Sequence, residues 1–206
     1  MPGASRKRPR PRAAAASSTK HAAEHAPSPR ASGDEPRVCR TAATSLGPLT
    51  LCATPRGVCR LMFVELGRRV ESPTRGVGEN QQKNQLEAQA DAWLAQAVAY
   101  IDAPAPPQAS LSFPVDVAGA GTPFQRRVWE LLAALPFGAT TTYGALAAAL
   151  RSSPRAVGQA VGCNQVGIRV PCHRVVAHGG KLGGFAWGTD AKRALLRREG
   201  VTPPPA

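Results

Sequence analysis

Cys172 and His173 are neighbours in the run Pro171-Cys-His-Arg-Val175. A thiol is a strong nucleophile only as its thiolate, and a nearby imidazole or positive charge favours that form. His173 and Arg174 supply both. Consecutive side chains of an extended strand point to opposite faces. Contact between Cys172 and His173 therefore requires a turn in the backbone, or a water between them. Taken alone the pair is a weak signal, because buried structural cysteines outnumber catalytic ones. Glu199 is the second group of interest. Thr189 to Gly200 reads as a helix, and a carboxylate in its last turn opposes the dipole that Arg197 and Arg198 complement. That placement has two readings: the carboxylate orients His173, or it is exposed and paired with an arginine.

The elements that must position these groups follow from periodicity and turn chemistry. Val38 to Glu65 reads as strands, with a turn at Leu46-Gly47-Pro48. The apolar runs Leu49–Ala53 and Val58–Val64 flank Pro55-Arg56-Gly57 and predict a hairpin. Residues 66–80 are polar and loop-like. Leu86, Ala90, Trp93, Leu94, Ala97 and Ile101 recur at helical spacing, and Pro104 to Pro107 end that helix. Leu111 to Val117 is a further strand candidate. From Gly119 onward the pattern is helical. Thr122-Pro-Phe-Gln125 is a capping box with proline at the first helical position, and the helix turns Phe124, Val128, Leu131, Leu132 and Leu135 inward. Tyr143 to Leu150 is a second short helix. Ser152-Ser153-Pro154 breaks it, and Ser153 caps a third. Two short helices around a tight turn in a basic region point to a helix-turn-helix. The third helix carries Ala156, Gly158, Ala160 and Gly162. Small residues there serve either close approach to a partner or close packing between helices. The fold class is α+β.

Charge separates the chain into regions. Residues 1–37 hold eight Lys/Arg against three acids, a net of +5; residues 38–118 hold seven against seven, a net of zero; residues 119–206 hold eleven against three, a net of +8. A basic region beside a neutral one favours a polyanion such as nucleic acid over a solubility charge. The expected organisation is a disordered basic tail (1–37), an N-terminal domain (38–117), a DNA-binding domain (118–201) and a short flexible end (202–206). The tail is Ala, Pro, Ser and Arg with few large apolar side chains, too little to offset ordering entropy. Its run Ser5 to Arg12 suits a nuclear signal, a DNA-tethering arm or a solvated tail. No apolar stretch approaches the roughly 20 residues of a membrane span, so no membrane partner is expected. The N-terminus lacks the apolar segment of a secretory signal. Five cysteines, an odd number without framework spacing, suit a reducing cytosol better than a disulfide scaffold. The Ala, Arg and Pro bias points to a GC-rich bacterial gene. The expected compartment is the cytoplasm, or the nucleus in a eukaryote.

The combination of motifs is more specific than any one of them. Gly121-Thr-Pro-Phe-Gln125, Val128-Trp129, Pro136-Phe-Gly138, Thr142-Tyr143, Arg155-Ala-Val-Gly158, Asn164, Pro171 to Val175, Gly183-Gly-Phe185, Lys192 and Leu195-Leu-Arg-Arg-Glu-Gly200 strongly resemble the O6-alkylguanine-DNA alkyltransferase family. The match is dense over 119–200 and loose over 41–118. The resemblance implies a ribonuclease-H-like N-terminal domain and a mainly helical, winged-helix-like C-terminal domain. It implies direct-reversal repair by single-turnover transfer of an alkyl group from O6-alkylguanine in double-stranded DNA. Cys172 is then the acceptor, His173 takes its proton through a water, and Glu199 orients His173. Asn164 braces the turn under the site. Tyr143 rotates a phosphate and helps protonate the leaving base. Arg155 fills the gap left in the duplex, with Ala156 and Gly158 on the same DNA-binding helix. Val175, Phe185 and Trp187 line the pocket of the flipped base. No cofactor is implied, since the lesion is the alkyl donor, and the protein is expected to act as a monomer.

The chain departs from the family pattern in places. Two residues are missing between Tyr143 and Arg155, so the turn between the helices must be rebuilt. Gln165 and Phe185 stand where proline and tyrosine are usual. Cys39, Cys52 and Cys59 do not match a zinc-ligand spacing, so no metal is assigned. Two other classes compete with the transferase. Non-enzymatic binders of alkylated bases resemble the family but lack the acceptor cysteine, which is present here. A cysteine hydrolase would need an oxyanion hole and an acyl pocket that the sequence does not reveal.

Overall fold

The computed structural model describes residues 36–64, 81–104, 110–117 and 120–203. The basic tail up to residue 35, the polar stretch 66–80 and the last three residues lie outside them. Three strands, β1 (Val38–Ala42), β2 (Leu49–Thr54) and β3 (Gly57–Phe63), form an antiparallel sheet in the order β1-β2-β3. The β2–β3 hairpin turns at Pro55-Arg56, as the sequence predicts. Leu49, Leu51 and Leu61 are completely buried, each worth about 1.5–3 kcal/mol relative to exposure. The 22-residue helix α1 (Gln81–Asp102) buries Leu86, Ala90, Trp93, Leu94, Ala97 and Ile101, the stripe read from the sequence, and also Tyr100. Arg40 of β1 reaches Glu87 at 3.3 Å and Asp91 at 3.0 Å and ties this helix to the sheet.

Two expectations are corrected here. The antiparallel register sets Cys39 opposite Cys52 with their Cα atoms 4.1 Å apart, and the two are joined as a disulfide. The pairing depends on strand register, which a separation of 13 residues does not disclose. Cys59, Cys163 and Cys172 are free thiols. Leu111 to Val117 is not a strand: it touches β3 through a single bridge between Val58 and Val115. Pro114 interrupts the run and has no N–H to extend a ladder. Its carbonyl still accepts the Val58 N–H at 2.9 Å. A side chain at residue 57 would stand 2.6 Å from that carbonyl oxygen, and the φ of +146° there suits glycine alone.

The free edge of β3 is taken up by later parts of the chain. The Leu61 N–H donates to the Gln165 carbonyl at 2.8 Å, and the Gly167 N–H donates back to the Leu61 carbonyl at 2.9 Å. The sheet thus grips the segment that leads into Cys172. Trp187 closes the same junction, edge-on to Phe63 at 4.9 Å, with its ring so close over Gly167 that a Cβ there would lie 1.9 Å from it.

The second half is helical. Helix α2 (Pro123–Ala133) begins with the expected capping box, Thr122 accepting from the Gln125 N–H and the Gln125 side chain accepting from the Thr122 N–H. It buries Val128, Trp129 and Leu132, while Phe124, Leu131 and Leu135 pack half-buried against the core. A two-residue strand β4 (Thr141–Thr142) leads into α3 (Tyr143–Ala149), and a tight turn leads to α4 (Pro154–Gly162). Ser153 caps α4 by accepting from the Ala156 N–H at 3.2 Å. Arg151 in the turn between them takes a φ of +50°. After a 3-10 turn at Cys172–Arg174 come β5 (Val175–Val176) and α5 (Thr189–Arg198). Buried side chains from Val38 to Leu195 form one continuous cluster. No described helix is long and apolar enough to cross a membrane.

Candidate active site

Local structure delivers Cys172 and Tyr143 to the same place. Strand β4 ends where Tyr143 begins, and β5 begins where the Cys172–Arg174 turn ends; the two strands pair in parallel, Thr141 with Val175 and Thr142 with Val176. Asn164 supports the approach from below. Its side-chain N–H donates to the Val170 carbonyl at 2.8 Å and its oxygen accepts the Val166 N–H at 3.0 Å. This bracing spans Ile168, a buried β-branched residue at φ +65°, a conformation that persists only where the surroundings enforce it.

Cys172 is buried and its thiol is pushed up by that burial. The Asn164 side chain, the backbone N–H groups of Cys172 and His173, and the charge of Lys192 all act in the opposite sense, toward the thiolate. The resting sulfur is therefore a neutral thiol within a ring of donors that would stabilise it once the proton leaves. The 3-10 turn directs His173 away from a simple strand alternation. His173 is fully buried, and its Nε2 lies 2.7 Å from Glu199 Oε1. Its Nδ1 has no hydrogen-bond partner within the protein. Burial pushes the imidazole down from its ordinary value, against the pull of Glu199, so it stands neutral at pH 7.

Glu199 is buried at the C-terminal cap of α5. Its Oε2 accepts from Arg174 Nε at 2.8 Å and from the Gly138 N–H at 3.2 Å. Its Oε1 accepts from Arg174 Nη2 at 3.0 Å, from His173 and from the Tyr100 hydroxyl. Burial alone would raise the carboxyl, but the hydrogen bonds of His173 and Arg174 prevail and hold it at about 2. Glu199 is thus not an exposed surface acid: it is buried and bonded to both His173 and Arg174.

The arginine beside the cysteine acts differently from the sequence expectation. The Arg174 guanidinium is engaged away from the sulfur, by Glu199, the Leu135 carbonyl at 2.9 Å and Ser110 Oγ at 3.1 Å, over the face of Phe137. The cation that bears on Cys172 is Lys192, fully buried on α5. Its Nζ donates to the carbonyls of Val175 at 2.7 Å, Leu182 at 2.6 Å and Gly184 at 3.2 Å, stitching the 182–184 loop to the cysteine segment. Burial brings the ammonium down to about 8, while the cysteine works the other way. Lys192 stood in the sequence only as part of the family pattern, with no role attached, and Tyr100 was not singled out at all. The available signals were a lysine on the apolar stripe of a helix and a tyrosine on a buried one, whose hydroxyl needs a partner.

The remaining candidates lie around this centre. The half-buried ring of Tyr143 faces Gly158 and Gly183, and burial followed by the cysteine's charge raises its phenol, which stays a donor. Arg155 is exposed in the first turn of α4, with Ala156 half-buried next to it. Among the small residues of α4, Ala160 is buried and its carbonyl accepts the Trp129 indole N–H at 2.8 Å, while Gly162 is exposed. Val175 is fully buried. Phe185 is half-buried and stacks edge-on against Trp187 at 5.0 Å. Trp187 itself faces Phe63 and Gly167, as an anchor of its loop. Among the described residues no cluster of His, Cys, Asp or Glu could hold a metal.

A buried cysteine followed in the chain by an imidazole bonded to a buried carboxylate, beside a capped two-helix unit with an exposed arginine, fits one class: a cysteine-based transferase with a helical nucleic-acid-binding domain. Comparison with known proteins gives the family. Residues 123–201 match the 6-O-methylguanine DNA methyltransferase, DNA binding domain. A methylated-DNA–protein-cysteine methyltransferase of Methanosarcina acetivorans is 34% identical over 157 residues, 75% of this chain and 93% of that one. One from Salmonella typhimurium is 50% identical over 88 residues, 42% of this chain and 52% of that one. Among solved structures, Mycobacterium tuberculosis OGT in complex with DNA superposes with a TM-score of 0.62 at 33% identity, covering 80% of this chain and 94% of that one. The chain belongs to the methylated-DNA–protein-cysteine methyltransferase family.

Proposed function

We propose that this protein repairs alkylated DNA by direct reversal, moving the alkyl group of an O6-alkylguanine onto its own Cys172 in one irreversible step. The observation that carries the reading is the buried Cys172–His173–Glu199 group with an unpartnered His173 Nδ1. A carboxylate only accepts hydrogen bonds, so Nε2 carries the ring hydrogen and Nδ1 keeps a free lone pair. A water between Cys172 Sγ and Nδ1 passes the thiol proton to the imidazole as the sulfur attacks. The S–C bond forms while the C–O6 bond breaks, and the electron pair stays with guanine. Tyr143 supports the leaving base with a hydrogen bond. Guanine recovers the N1 hydrogen that O6-alkylation removed, which balances the proton lost by the thiol. The product thioether has no route back to a thiol, so each molecule acts once, and the lesion itself is the only donor required.

The target carbon is hidden in the duplex, so the nucleotide must be flipped out. In this reading β1–β3 and α1 form a ribonuclease-H-like domain (38–117). The C-terminal domain (118–201) is winged-helix-like, lays α4 against double-stranded DNA with Ala156 and Gly158 at the contact, and acts as a monomer. Arg155 enters the gap, and Val175, Phe185 and the 183–187 loop surround the base. The deciding experiment is intact-protein and peptide mass spectrometry after incubation with a duplex containing O6-methylguanine. The expected result is one methyl on the peptide carrying Cys172 and no further turnover. No covalent gain, or catalytic turnover of another substrate, would overturn the reading.

The role of Arg155 has its own test. Arg155→Ala is expected to slow repair of the duplex by roughly 10-fold or more, because flipping costs a few kcal/mol that an intercalated guanidinium offsets. Reaction with a free O6-alkylguanine base should be unchanged. Equal losses on both substrates would assign Arg155 to the fold or pocket instead.

A further inference from the structure

Tyr100 lies at the end of α1, outside the residues 123–201 that match the family's DNA-binding domain. It is buried, its ring stands edge-on to Phe137 at 6.5 Å, and its hydroxyl donates to Glu199 Oε1. That is the oxygen that faces His173 Nε2. The tyrosine is held from its other end as well: Arg198, the residue before Glu199, donates through Nε to the Tyr100 carbonyl at 2.7 Å and through Nη2 to the Ala103 carbonyl. Arg198 thereby caps the open carbonyls of α1, and α1 in turn presents its hydroxyl to the neighbouring carboxylate. Ser110 adds a contact from the same part of the chain, to Arg174.

We infer that Tyr100 is a positioning residue for the alkyl transfer, locking the Glu199 carboxylate in place and setting how strongly it holds His173. The inference rests on the reading of Cys172–His173–Glu199 as the transfer site. A carboxylate offers about four acceptor positions, and here five donor contacts converge: Tyr100, His173, Arg174 Nε, Arg174 Nη2 and the Gly138 N–H. Tyr100 and His173 share one oxygen, so the hydroxyl draws charge away from the imidazole while it fixes the carboxylate's rotation. The phenol is raised by burial and then by Glu199 itself, and it remains a donor throughout the working range. Among the described residues, the charged and titratable groups that act on this pair are Arg174 from the 3-10 turn, Lys192 from α5 and Tyr100 from α1. Of these described groups, Tyr100 comes from outside the C-terminal region. The N-terminal half of the chain therefore helps to position the site through Tyr100.

The test is the pH dependence of single-turnover transfer from an O6-methylguanine duplex, with the wild-type protein alongside. Tyr100→Phe keeps the ring and its contact with Phe137. Without the hydroxyl, Glu199 Oε1 gives more charge to His173 and favours its protonated form, so the acidic limb of the rate profile should move to higher pH by about half a unit. On a Glu199→Gln background the same change should leave the profile unmoved, because the effect passes through Glu199. Site-specific 3-fluorotyrosine at position 100, a stronger donor of the same shape, should move the limb to lower pH. It also provides the answer if Tyr100→Phe is too unstable to assay. An unmoved limb in both variants, with normal wild-type transfer, overturns the role of Tyr100 alone. If the wild-type protein takes up no methyl group, the transfer reading fails first and the inference with it.

Discussion

Cys172→Ser is expected to abolish alkyl transfer while DNA binding survives. The hydroxyl keeps nearly the shape of the thiol but is a far weaker nucleophile at neutral pH. The ring of donors around the sulfur, from Asn164, two backbone N–H groups and Lys192, already works against the burial that raises the thiol. It cannot bring an alcohol within reach of the same imidazole. The proposed binding surface is built separately: α3 and α4 take their caps from Thr142 and Ser153, and neither depends on the sulfur. Asn164 can still donate to the serine oxygen, so the buried hydroxyl is satisfied and stability should fall by only about 1 kcal/mol. The measurements are the mass of the protein after exposure to an O6-methylguanine duplex, and its affinity for that duplex by anisotropy. The serine variant should gain no mass and bind as tightly as the parent. A methyl group found on the variant would move the acceptor elsewhere, and the exposed Cys163 just past the end of α4 would be the first place to look.

The parts of this site that were legible in the sequence are those built from local chemistry. The capping box at Thr122 and the Ser153 cap are patterns of three or four residues, and both helices start where those patterns place them. Cys172, His173 and Glu199 were marked by residue type and by a carboxylate at the wrong end of a helix. Illegible were the features fixed by register and by packing between distant segments. Cys39 and Cys52 meet because two strands align in one of several registers. Leu111 to Val117 has the composition of a strand, but the bridge at Val115 is flanked by a proline. Arg174 was assigned to the sulfur by adjacency, yet the 3-10 turn rotates it onto Glu199, 25 residues away. Tyr100 is 99 residues from the carboxylate it holds, and in sequence it is one more apolar position on a helical stripe.

Glu199→Gln tests that convergence most severely, and two losses are expected together. The first is stability. The amide removes the charge that faces Arg174 in a site with no exposed carboxylate, and breaking a buried pair from one side costs about 3–5 kcal/mol. The pH dependence carries the signature. In the folded protein the carboxyl is held at about 2, against an ordinary value of 4.5. A depressed acid contributes stability that is fully present above its unfolded value and is lost as pH falls toward its folded one. The wild-type unfolding midpoint in urea should therefore drop between pH 4.5 and 2, and Glu199→Gln should remove that part of the slope. The second loss is rate. The imidazolium that forms as His173 accepts the thiol proton no longer has an anion beside it, and transfer should slow by roughly 100-fold or more. With Glu199 neutral, its charge no longer raises the His173 imidazole, while burial, Arg174 and Lys192 all still lower it. The acidic limb of the rate profile should accordingly move to lower pH, opposite to the shift expected for Tyr100→Phe. A Glu199→Gln protein with wild-type rate and an unmoved limb would reduce the carboxylate to a structural partner of Arg174. Loss of rate with the limb in place would mean that Glu199 holds His173 in position without supporting its charge.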